Sequence, residues 1–339
     1  MIFFLATREH SYTVTEYLDT WGRENRGIIR PISYGRIFNS RRLRRGTYIF
    51  SDLERLSGPQ LELAQILHEK LTLGGDGIQL LNTPAKVLRR EPLLRELHRL
   101  GKNPFAVYRV GENLDAVRFP VFLRRENDHD GSLTNLLNAR NELDDAILKA
   151  VNSGVPREDL LVVEYCQTVD SAGMFSKYSA FCINGKIIAR HVLYGNDWVL
   201  KYPSLVTDAN VAEEEAYLSA NPHELEAGEI FKLAKIDYGR IDYSLLNGKL
   251  VTWEINTNPI ITVFPERIAP PRMLGQARFA ALFNAEMQSI DIDSRGAGIS
   301  LELPPLLLRE AGMRKQDNLR GAAASTVRRI NRRLRGMFR

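Results

Sequence analysis

The sequence predicts a mixed α/β protein in which a segment with a parallel sheet precedes a part rich in longer, antiparallel strands. Over the first eighty residues, short apolar runs alternate with amphipathic stretches, which is typical of α/β units. From Val117 onward the β segments lengthen, and Asn-Gly occurs twice between apolar strands, at residues 184–185 and 247–248. Asn-Gly favours the type I′ turn of a β-hairpin, because both central residues adopt positive φ.

Elements of the first part follow from periodicity and from turn residues. A helix is predicted over Leu61–Leu73, since its apolar residues share one face and it is bracketed by Gly58-Pro59 and Gly74-Gly75. A second helix is predicted over 92–100, ending at Gly101, and a strand over 105–110 follows it. Strands are predicted over residues 2–6, 27–32 and 47–50 before the first helix, and over residues 77–81 after it. These elements predict a small lobe with a parallel sheet.

Beyond residue 116 the predicted strands are residues 116–124, 160–165, 178–183, 186–193, 239–246 and 250–256. Helical segments are predicted over 132–152 and 210–234, and residues past about 308 form an appended helix and tail. The sequence contains no internal repeat. A chain of 339 residues is long enough to form two or three lobes around shared clefts.

Composition excludes several classes of protein. With 44% hydrophobic and 26% charged residues, neither a disordered chain nor a membrane-embedded body is expected. The apolar run 2–6 lacks a charged leader and is too short for an export signal, so we interpret it as a strand. Cys166 and Cys182 lack zinc-ligand spacing and form no disulfide framework. We therefore expect them to be buried thiols in a cytoplasmic protein.

The net charge of +5 is concentrated at the C-terminus. Residues 309–339 carry ten basic and two acidic residues, a net charge of +8, which leaves −3 for the other 308 residues. Within this tail, apolar residues at helical spacing predict a basic amphipathic helix over Thr326–Phe338. It either docks onto the protein's own body or contacts an anionic membrane or nucleic acid. The charge of the tail thus says nothing about the body of the protein.

The second hairpin carries the residues that point to chemistry. Glu254 and Asn256 lie two residues apart in one strand and therefore share a face, and Asp242 lies in the partner strand. Mg²⁺ prefers such oxygen ligands and is commonly held by one or two carboxylates plus phosphate oxygens. Arg240 shares the face of Asp242 and can neutralise phosphate charge. The alternative is a polar, solvent-facing hairpin, which Trp253 and the apolar flanks disfavour.

The segments GRIDYS (239–244) and WEINTNP (253–259) resemble the metal-binding core of the ATP-grasp superfamily. The pattern is most similar to D-alanine–D-alanine ligases and to glutathione-synthetase-like and RimK-like carboxylate–amine ligases. The resemblance implies an ATP-grasp fold: an N-terminal α/β pre-ATP-grasp lobe, a central β-rich lobe and a C-terminal α+β lobe. The corresponding ranges are 1–82, about 105–168 and about 169–308, with the ATP-grasp domain spanning 83–308 and the tail 309–339.

The resemblance also implies roles for individual residues. Asp242, Glu254 and Asn256 would be the metal ligands, and Arg240 would be a catalytic clamp on the transferred phosphate. Arg124 ends a strand that resembles the one ending in a phosphate-binding lysine, so it is both a catalytic and a nucleotide-binding candidate. Arg90, with Arg89 as the alternative, stands where a second lysine is usual. Arginine keeps the charge but presents a planar fork of donors.

Further nucleotide contacts follow from the same resemblance. Glu164 would accept from the adenine amino group, the main chain at Cys166 would pair with the ring edge, and Asp170 would bind the ribose hydroxyls. Main-chain amides near Ser132, and the side chain of Lys201, would contact phosphate. For each of these residues the alternative is an ordinary surface or strand position.

The loop over the phosphates departs from the family pattern, since 126–132 retains only Gly131. His129 in this loop either senses substrate or is a plain loop histidine. Lys177 is a weaker candidate for a phosphate contact. In the N-terminal lobe, Arg8, His10, Arg36 and the pair 41–42 either bind substrate carboxylates or are surface charges.

The implied activity is an ATP-dependent carboxylate–amine or carboxylate–thiol ligase that forms an acyl phosphate and releases ADP and phosphate. The cofactors would be ATP and Mg²⁺, with two metal ions expected and Mn²⁺ as the alternative metal. The partners would be small-molecule or peptide substrates, and a homo-oligomer is left open. Alternatives are an ATP-grasp kinase, a non-catalytic ATP-binding module, and a nucleic-acid binder that acts through the tail.

Overall fold

The computed structural model describes residues 1–127 and 131–313. The loop histidine at position 129 and the amphipathic helix predicted over 326–338 lie outside the described residues. No helix in the described ranges is long and apolar enough to cross a membrane.

The N-terminal lobe is built on a parallel sheet of order β2-β1-β4-β5. Its strands, with a short β3 outside the sheet, are β1 (Ile2–Ala6), β2 (Ile29–Ser33), β3 (Arg42–Leu43), β4 (Gly46–Phe50) and β5 (Ile78–Leu81). Its helices are α1 (Tyr12–Asp19), α2 (Tyr34–Phe38) and α3 (Gly58–Thr72). Every residue of β1 and β4 is buried, as expected for parallel strands covered on both faces. The predicted parallel sheet is confirmed, whereas α1 and α2 were not predicted.

The central lobe is a three-stranded antiparallel sheet of order β6-β8-β7. Its strands are β6 (Val107–Arg109), β7 (Val121–Arg125) and β8 (Leu160–Glu164), accompanied by α4 (Arg90–Arg99) and α5 (Arg140–Asn152). Helix α5 begins at Arg140 and not at Ser132 as predicted. The intervening residues pair with β7 instead, since the Leu133 and Leu137 main-chain N–H groups donate to Leu123 and Val121.

The C-terminal lobe is a four-stranded antiparallel sheet of order β10-β9-β11-β12. Its strands are β9 (Phe175–Ile183), β10 (Lys186–Gly195), β11 (Tyr238–Leu246) and β12 (Lys249–Asn256). Both predicted hairpin turns are present, with positive φ at Asn184 and Gly185 and at Asn247 and Gly248. The remaining elements are α6 (Asp208–Ala220), α7 (Glu224–Ala234), α8 (Met273–Ser289), β13 (Ile299–Ser300) and α9 (Pro305–Glu310). Strand β13 pairs with β3, and α8 was not predicted.

The two faces of the C-terminal sheet have different partners. One face, with Ala180 and Ile241, packs in a core that includes the residues of α6 and α7. The other face begins apolar at Phe181 and Tyr238, which share a core with α8 and with Phe4 of the N-terminal lobe. Towards the β9 residue Lys177 this second face becomes polar. Of the functional candidates, Arg240, Asp242 and Glu254 lie on this polar part.

Two register shifts interrupt the C-terminal sheet. In β10, Ala189 and His191 pair with consecutive residues of β9, so Arg190 is the extra residue of a bulge. In β12, a second shift leaves Trp253 as the extra residue. Bulges bend a strand, re-aim its side chains and are common beside active sites.

Asn82 joins the N-terminal and C-terminal lobes. Its buried side chain donates to the carbonyls of Phe50 and Tyr238 and accepts from the main-chain N–H groups of Asp237 and Tyr238. The predicted fold class, with an α/β lobe, a central β-rich lobe and a C-terminal α+β lobe, is confirmed. The residue boundaries proposed between the lobes stay predictions.

Candidate functional site

A cavity lies between the central sheet and the polar part of the C-terminal sheet. Seven of the sequence-predicted residues line it, namely Arg124, Ser132, Cys166, Lys177, Lys201, Asp242 and Glu254. Ser244 and the aromatic side chains Phe122, Tyr165, Trp198 and Trp253 also line it. The cavity therefore combines an aromatic wall with two carboxylates and several cations.

A row of polar side chains crosses the C-terminal sheet, and its members Asp242 and Glu254 line this cavity. His191 pairs in register with Ser179, Ser179 with Asp242, and Asp242 with Glu254. The Ser179 hydroxyl donates to Asp242 Oδ1 at 2.9 Å, and His191 Nε2 lies 3.0 Å from Ser179 Oγ. Because the hydroxyl proton goes to Asp242, the serine oxygen accepts from the Nε2–H tautomer of His191. Sequence reasoning missed Ser179 and His191.

The carboxylate of Asp242 is surrounded by donors. The Arg240 guanidinium donates two hydrogen bonds to it, from Nε to Oδ1 at 2.7 Å and from Nη2 to Oδ2 at 3.0 Å. Lys177 Nζ lies 3.6 Å from Oδ2. Arg240 and Asp242 thus share a strand face, as their spacing of two predicts, and Asp242 is 3% exposed.

The second carboxylate, Glu254, contacts two arginines from the central part of the chain. Arg90, the first residue of α4, forms an ion pair with Glu254 Oε2, and Arg124 Nη2 reaches the same oxygen at 3.4 Å. Arg90 also donates to the main-chain carbonyls of Arg125 and Glu126, which fixes α4 against the end of β7. The structure therefore brings both predicted phosphate-binding arginines to the metal-ligand candidate.

Asn256 stands opposite Arg240 across the hairpin. Its Oδ1 accepts from the Asn258 main-chain N–H at 2.8 Å, which orders the turn after β12. Within the described residues, no group of three His, Cys, Asp or Glu side chains is placed to hold a metal ion. Two opposed carboxylates and an amide oxygen nevertheless fit Mg²⁺, a hard cation that fills its remaining positions with water or phosphate oxygens.

Part of the cavity lining is an aromatic cluster of Phe122, Tyr165 and Trp198. The ring of Trp198 lies 4.9 Å from Phe122 and 5.9 Å from Tyr165, between centroids. Burial raises the pKa of the neighbouring Cys166 thiol, which keeps it protonated and neutral at neutral pH. A flat apolar ring suits this aromatic cluster, and Lys201 lies next to Gly131 in the same lining.

The predicted residues that do not line the cavity are Arg90, Arg240, Asn256, Glu164 and Asp170. Arg90 and Arg240 still contact its two carboxylates, whereas Glu164 and Asp170 have other partners. Both oxygens of the Glu164 carboxylate accept from protein donors, among them the Arg118 guanidinium, the Arg118 and Ala106 main-chain N–H groups and the Tyr108 hydroxyl. Burial alone raises the pKa of Glu164, but the hydrogen bonds from Arg118 outweigh it, and the net effect is a pKa below the usual range. Asp170 is exposed and accepts from two N–H groups of its own turn. The adenine and ribose contacts predicted for Glu164 and Asp170 stay predictions.

A basic cluster extends the polar row towards β10. Arg272 holds the buried Glu214 with two hydrogen bonds, at 2.6 and 2.5 Å. Arg190 stands in the β10 bulge, and its Nε donates to the Ile261 carbonyl at 2.9 Å. Burial lowers the pKa of His191 well below its usual range, and the charge of Arg190 adds to this effect, so the imidazole is neutral at neutral pH.

One signal in the sequence marks this missed cluster. The adjacent polar residues Arg190 and His191 interrupt an apolar strand. Two polar residues in succession break the period of two expected for a strand and are typical of a bulge. Arg272 and Glu214 lie far apart in the chain, so no local pattern predicts their pairing.

Solved structures similar to this chain include two D-alanine–D-alanine ligases. One, from Bacillus anthracis and complexed with ATP, is 14% identical, with 84% of this chain and 99% of that chain covered and a TM-score of 0.46. The other, from Coxiella burnetii, is 15% identical, with coverages of 85% and 97% and a TM-score of 0.43.

An L-amino acid ligase from Bacillus licheniformis is also similar, at 11% identity, with 80% of this chain and 68% of that chain covered and a TM-score of 0.38. No protein-family model matches the sequence. The comparison with curated proteins returns no match either. Structures of the kind that the two motifs resemble are thus among those similar to this chain.

Proposed function

We propose that this chain is an ATP-dependent ligase of the ATP-grasp type that activates a carboxylate for attack by an amine or a thiol. One observation carries the proposal. The Asp242–Glu254 pair lies at the floor of a cavity that also holds Lys177, Lys201 and Arg124. Carboxylates and cations at one place suit a triphosphate and its counter-ion, since transfer of its terminal phosphate rests mainly on positioning and charge neutralisation.

The nucleotide would bind with its base against the aromatic cluster of the cavity. Phe122, Tyr165 and Trp198 offer an apolar surface for the base, and the main chain beside Cys166 supports the predicted pairing with the ring edge. The phosphates would then reach Ser132, Lys201 and Arg124. This orientation follows from chemistry, because the aromatic rings suit the base and the cations suit the phosphates.

Asp242, Glu254 and Asn256 would hold Mg²⁺. When bound, the ion would neutralise phosphate charge. In the structure Glu254 contacts Arg90 and Arg124, and Asp242 contacts Arg240 and Lys177. Each arginine can therefore pass from a carboxylate to a phosphate oxygen, since its planar fork of donors suits both groups.

The reaction begins when an oxygen of the substrate carboxylate attacks the terminal phosphorus of ATP and ADP leaves. Arg240 and Arg124 would stabilise the charge that spreads over the transferred phosphoryl oxygens. The amine or thiol then attacks the carbonyl carbon of the acyl phosphate, gives up its proton and expels inorganic phosphate. The chain needs no covalent nucleophile for this sequence, only positioned charges.

The test is an assay of ATP-dependent phosphate release with amino acids, peptides and carboxylic acids, followed by mass spectrometry of the products. We expect ADP, free phosphate and a condensed product in equal amounts. Asp242→Ala and Glu254→Ala should abolish turnover, whereas the exposed Asp19→Ala serves as the matched control. A phosphorylated small molecule without free phosphate would instead identify a kinase, and full activity in either variant would remove the metal assignment.

A further inference from the structure

Arg190 is a buried cation that has no carboxylate partner in the part of the chain that the structure describes. The side chain is carried by the extra residue of the β10 bulge and the residue is 6% exposed. Its Nε donates to the Ile261 carbonyl at 2.9 Å, and its guanidinium lies 4.4 Å above the ring of Phe279. Within residues 1–127 and 131–313, no carboxylate lies within ion-pair distance of Arg190.

The neighbouring arginines are paired differently. Arg272 holds Glu214 with two hydrogen bonds, and Arg240 holds Asp242 in the same way. All three arginines are close enough to influence one another, since burial and the charges of Arg240 and Arg272 lower the pKa of Arg190 to about 9. The guanidinium is still charged at neutral pH.

The local charges do not cancel. Lys177, Arg190, Arg240 and Arg272 are positive, and only Asp242 and Glu214 among the facing groups named for this cluster are negative. His191 is neutral at neutral pH. A buried charge is normally paired, because desolvation without compensation is costly. The four cations and two carboxylates therefore leave a net charge of about +2, which one or two added negative charges would offset.

We propose that Arg190 binds a second carboxylate of the substrate whose first carboxylate is activated. This substrate is called the acceptor here, because it receives the phosphoryl group. The acceptor would then be a small dicarboxylate, or an amino acid with an acidic side chain, lying between Arg240 and Arg190. The inference rests on the proposed function, because it needs a substrate carboxylate at the phosphate end of the same polar row.

The position of Arg190 favours this substrate over the nucleotide. Arg190 does not line the cavity that holds the nucleotide candidates. It lies on β10, and β9 separates β10 from the strand of Asp242, so the two backbones are about 10 Å apart. The turn after β12 and helix α8 cover this end, through Ile261 and Phe279. A group bound here is therefore beyond the phosphates along the row.

The first experiment measures thermal stabilisation of the full-length protein by succinate and glutarate in saturating ADP and Mg²⁺. We expect a rise in Tm of about 2 °C or more with either dicarboxylate, and none with propionate or succinamide at equal concentration. Arg190→Met should lose this rise and keep the stabilisation by ADP. A separate sample with inorganic phosphate identifies the alternative anion. A rise with phosphate that Arg190→Met abolishes, without a rise with either dicarboxylate, would contradict the proposal.

The second experiment uses the ligand-free protein and keeps the proposal testable if substrate is scarce. Because Arg190 is buried without a carboxylate, Arg190→Met should raise Tm by about 2 °C. Arg272→Met is the matched control and should lower Tm, since it leaves the buried Glu214 unpaired. A fall in Tm for Arg190→Met as large as that for Arg272→Met would show a structural role and overturn the inference.

Kinetics with the acceptor found in the product assay complete the test. Arg190→Met should raise the acceptor KM at least tenfold and change the ATP KM by less than about twofold. Arg190→Lys should recover part of this loss, because it keeps the charge but not the fork of donors. Failure of the wild-type protein to bind ADP would defeat the proposed function, whereas ADP binding with no response to dicarboxylates would defeat only the role of Arg190.

Discussion

The two large sheets of this protein differ in the burial and charge of their side chains. In the parallel N-terminal sheet every residue of β1 and β4 is buried, and the polar side chain of Thr47 donates to a main-chain carbonyl. In the antiparallel C-terminal sheet, one face changes from Phe181 and Tyr238 to a row of charged side chains. The first sheet is arranged for stability, whereas the second retains charges that cost stability, as expected at functional sites.

Replacing Phe4 should produce the largest loss of stability. The side chain is 1% exposed and meets the ring of Tyr238 edge-on, with centroids 5.3 Å apart. Phe4→Ala leaves a cavity between the N-terminal sheet and α8, so we expect the free energy of unfolding to fall by about 3–5 kcal/mol. Urea denaturation followed by circular dichroism measures it. Phe4→Leu, which keeps most of the volume, should cost much less.

Asn82 tests how firmly the two sheets are joined. Asn82→Ala removes the partners of two carbonyls and two N–H groups and places an alanine at a φ of 65°. We expect a loss of about 2–4 kcal/mol in the free energy of unfolding. Asn82→Gly should recover about 1 kcal/mol of this loss, because glycine tolerates positive φ. Equal stability of the two variants would show that the backbone conformation contributes nothing.

How far the sequence predicts this molecule depends on how local each feature is. Alternation along β11 and β12 places Arg240 and Asp242 on one face and Glu254 with Asn256 on the partner, and the structure has this arrangement. Turn residues give both hairpins. These features depend on neighbours in the chain, so a pattern of period two is sufficient.

Features that depend on distant contacts were missed. Glu164 looks from its position like a strand-end carboxylate that faces a ligand, but its partner Arg118 lies 46 residues earlier and approaches it from a neighbouring loop. Arg190 changes its direction because β10 has one residue more than β9 at this point. Helix α5 starts late because Leu137 pairs with Val121. Such contacts depend on how the strands pair in the assembled sheet, which no local sequence pattern gives.

Replacing Ser179 tests how much the polar row contributes to the free energy of unfolding, and we expect a small effect. Ser179→Ala removes the hydrogen bonds to Asp242 and His191, so the carboxylate of Asp242 loses a fixed partner while Arg240 still holds it. We expect a loss of only about 1 kcal/mol in the free energy of unfolding, with a reduction of about tenfold in kcat and little change in the KM for ATP. Ser179→Thr, which keeps the hydroxyl, should restore kcat if the role is to position Asp242. A loss of stability comparable to that of Phe4→Ala would remove the contrast between the sheets.

The smallest expected effect concerns the ion pair between Glu164 and Arg118 in the central lobe. Hydrogen bonds from Arg118 hold the pKa of Glu164 below its usual range despite the opposing effect of burial. A carboxyl group with a lowered folded-state pKa stabilises the fold above its unfolded-state pKa and loses this contribution as pH falls through the folded-state value.

Arg118→Gln should therefore reduce the free energy of unfolding at pH 7 by less than about 1 kcal/mol, because the arginine side chain is largely exposed to solvent. The difference between variant and wild type should shrink as pH falls below the usual glutamate pKa of 4.5. Urea titrations at several pH values between neutral and acid conditions measure it, with Arg99→Gln, whose ion pair with Glu96 is at the surface, as the control. If the difference is instead independent of pH, Arg118 acts through packing, and Glu164 is then available for the adenine contact that its sequence position predicts.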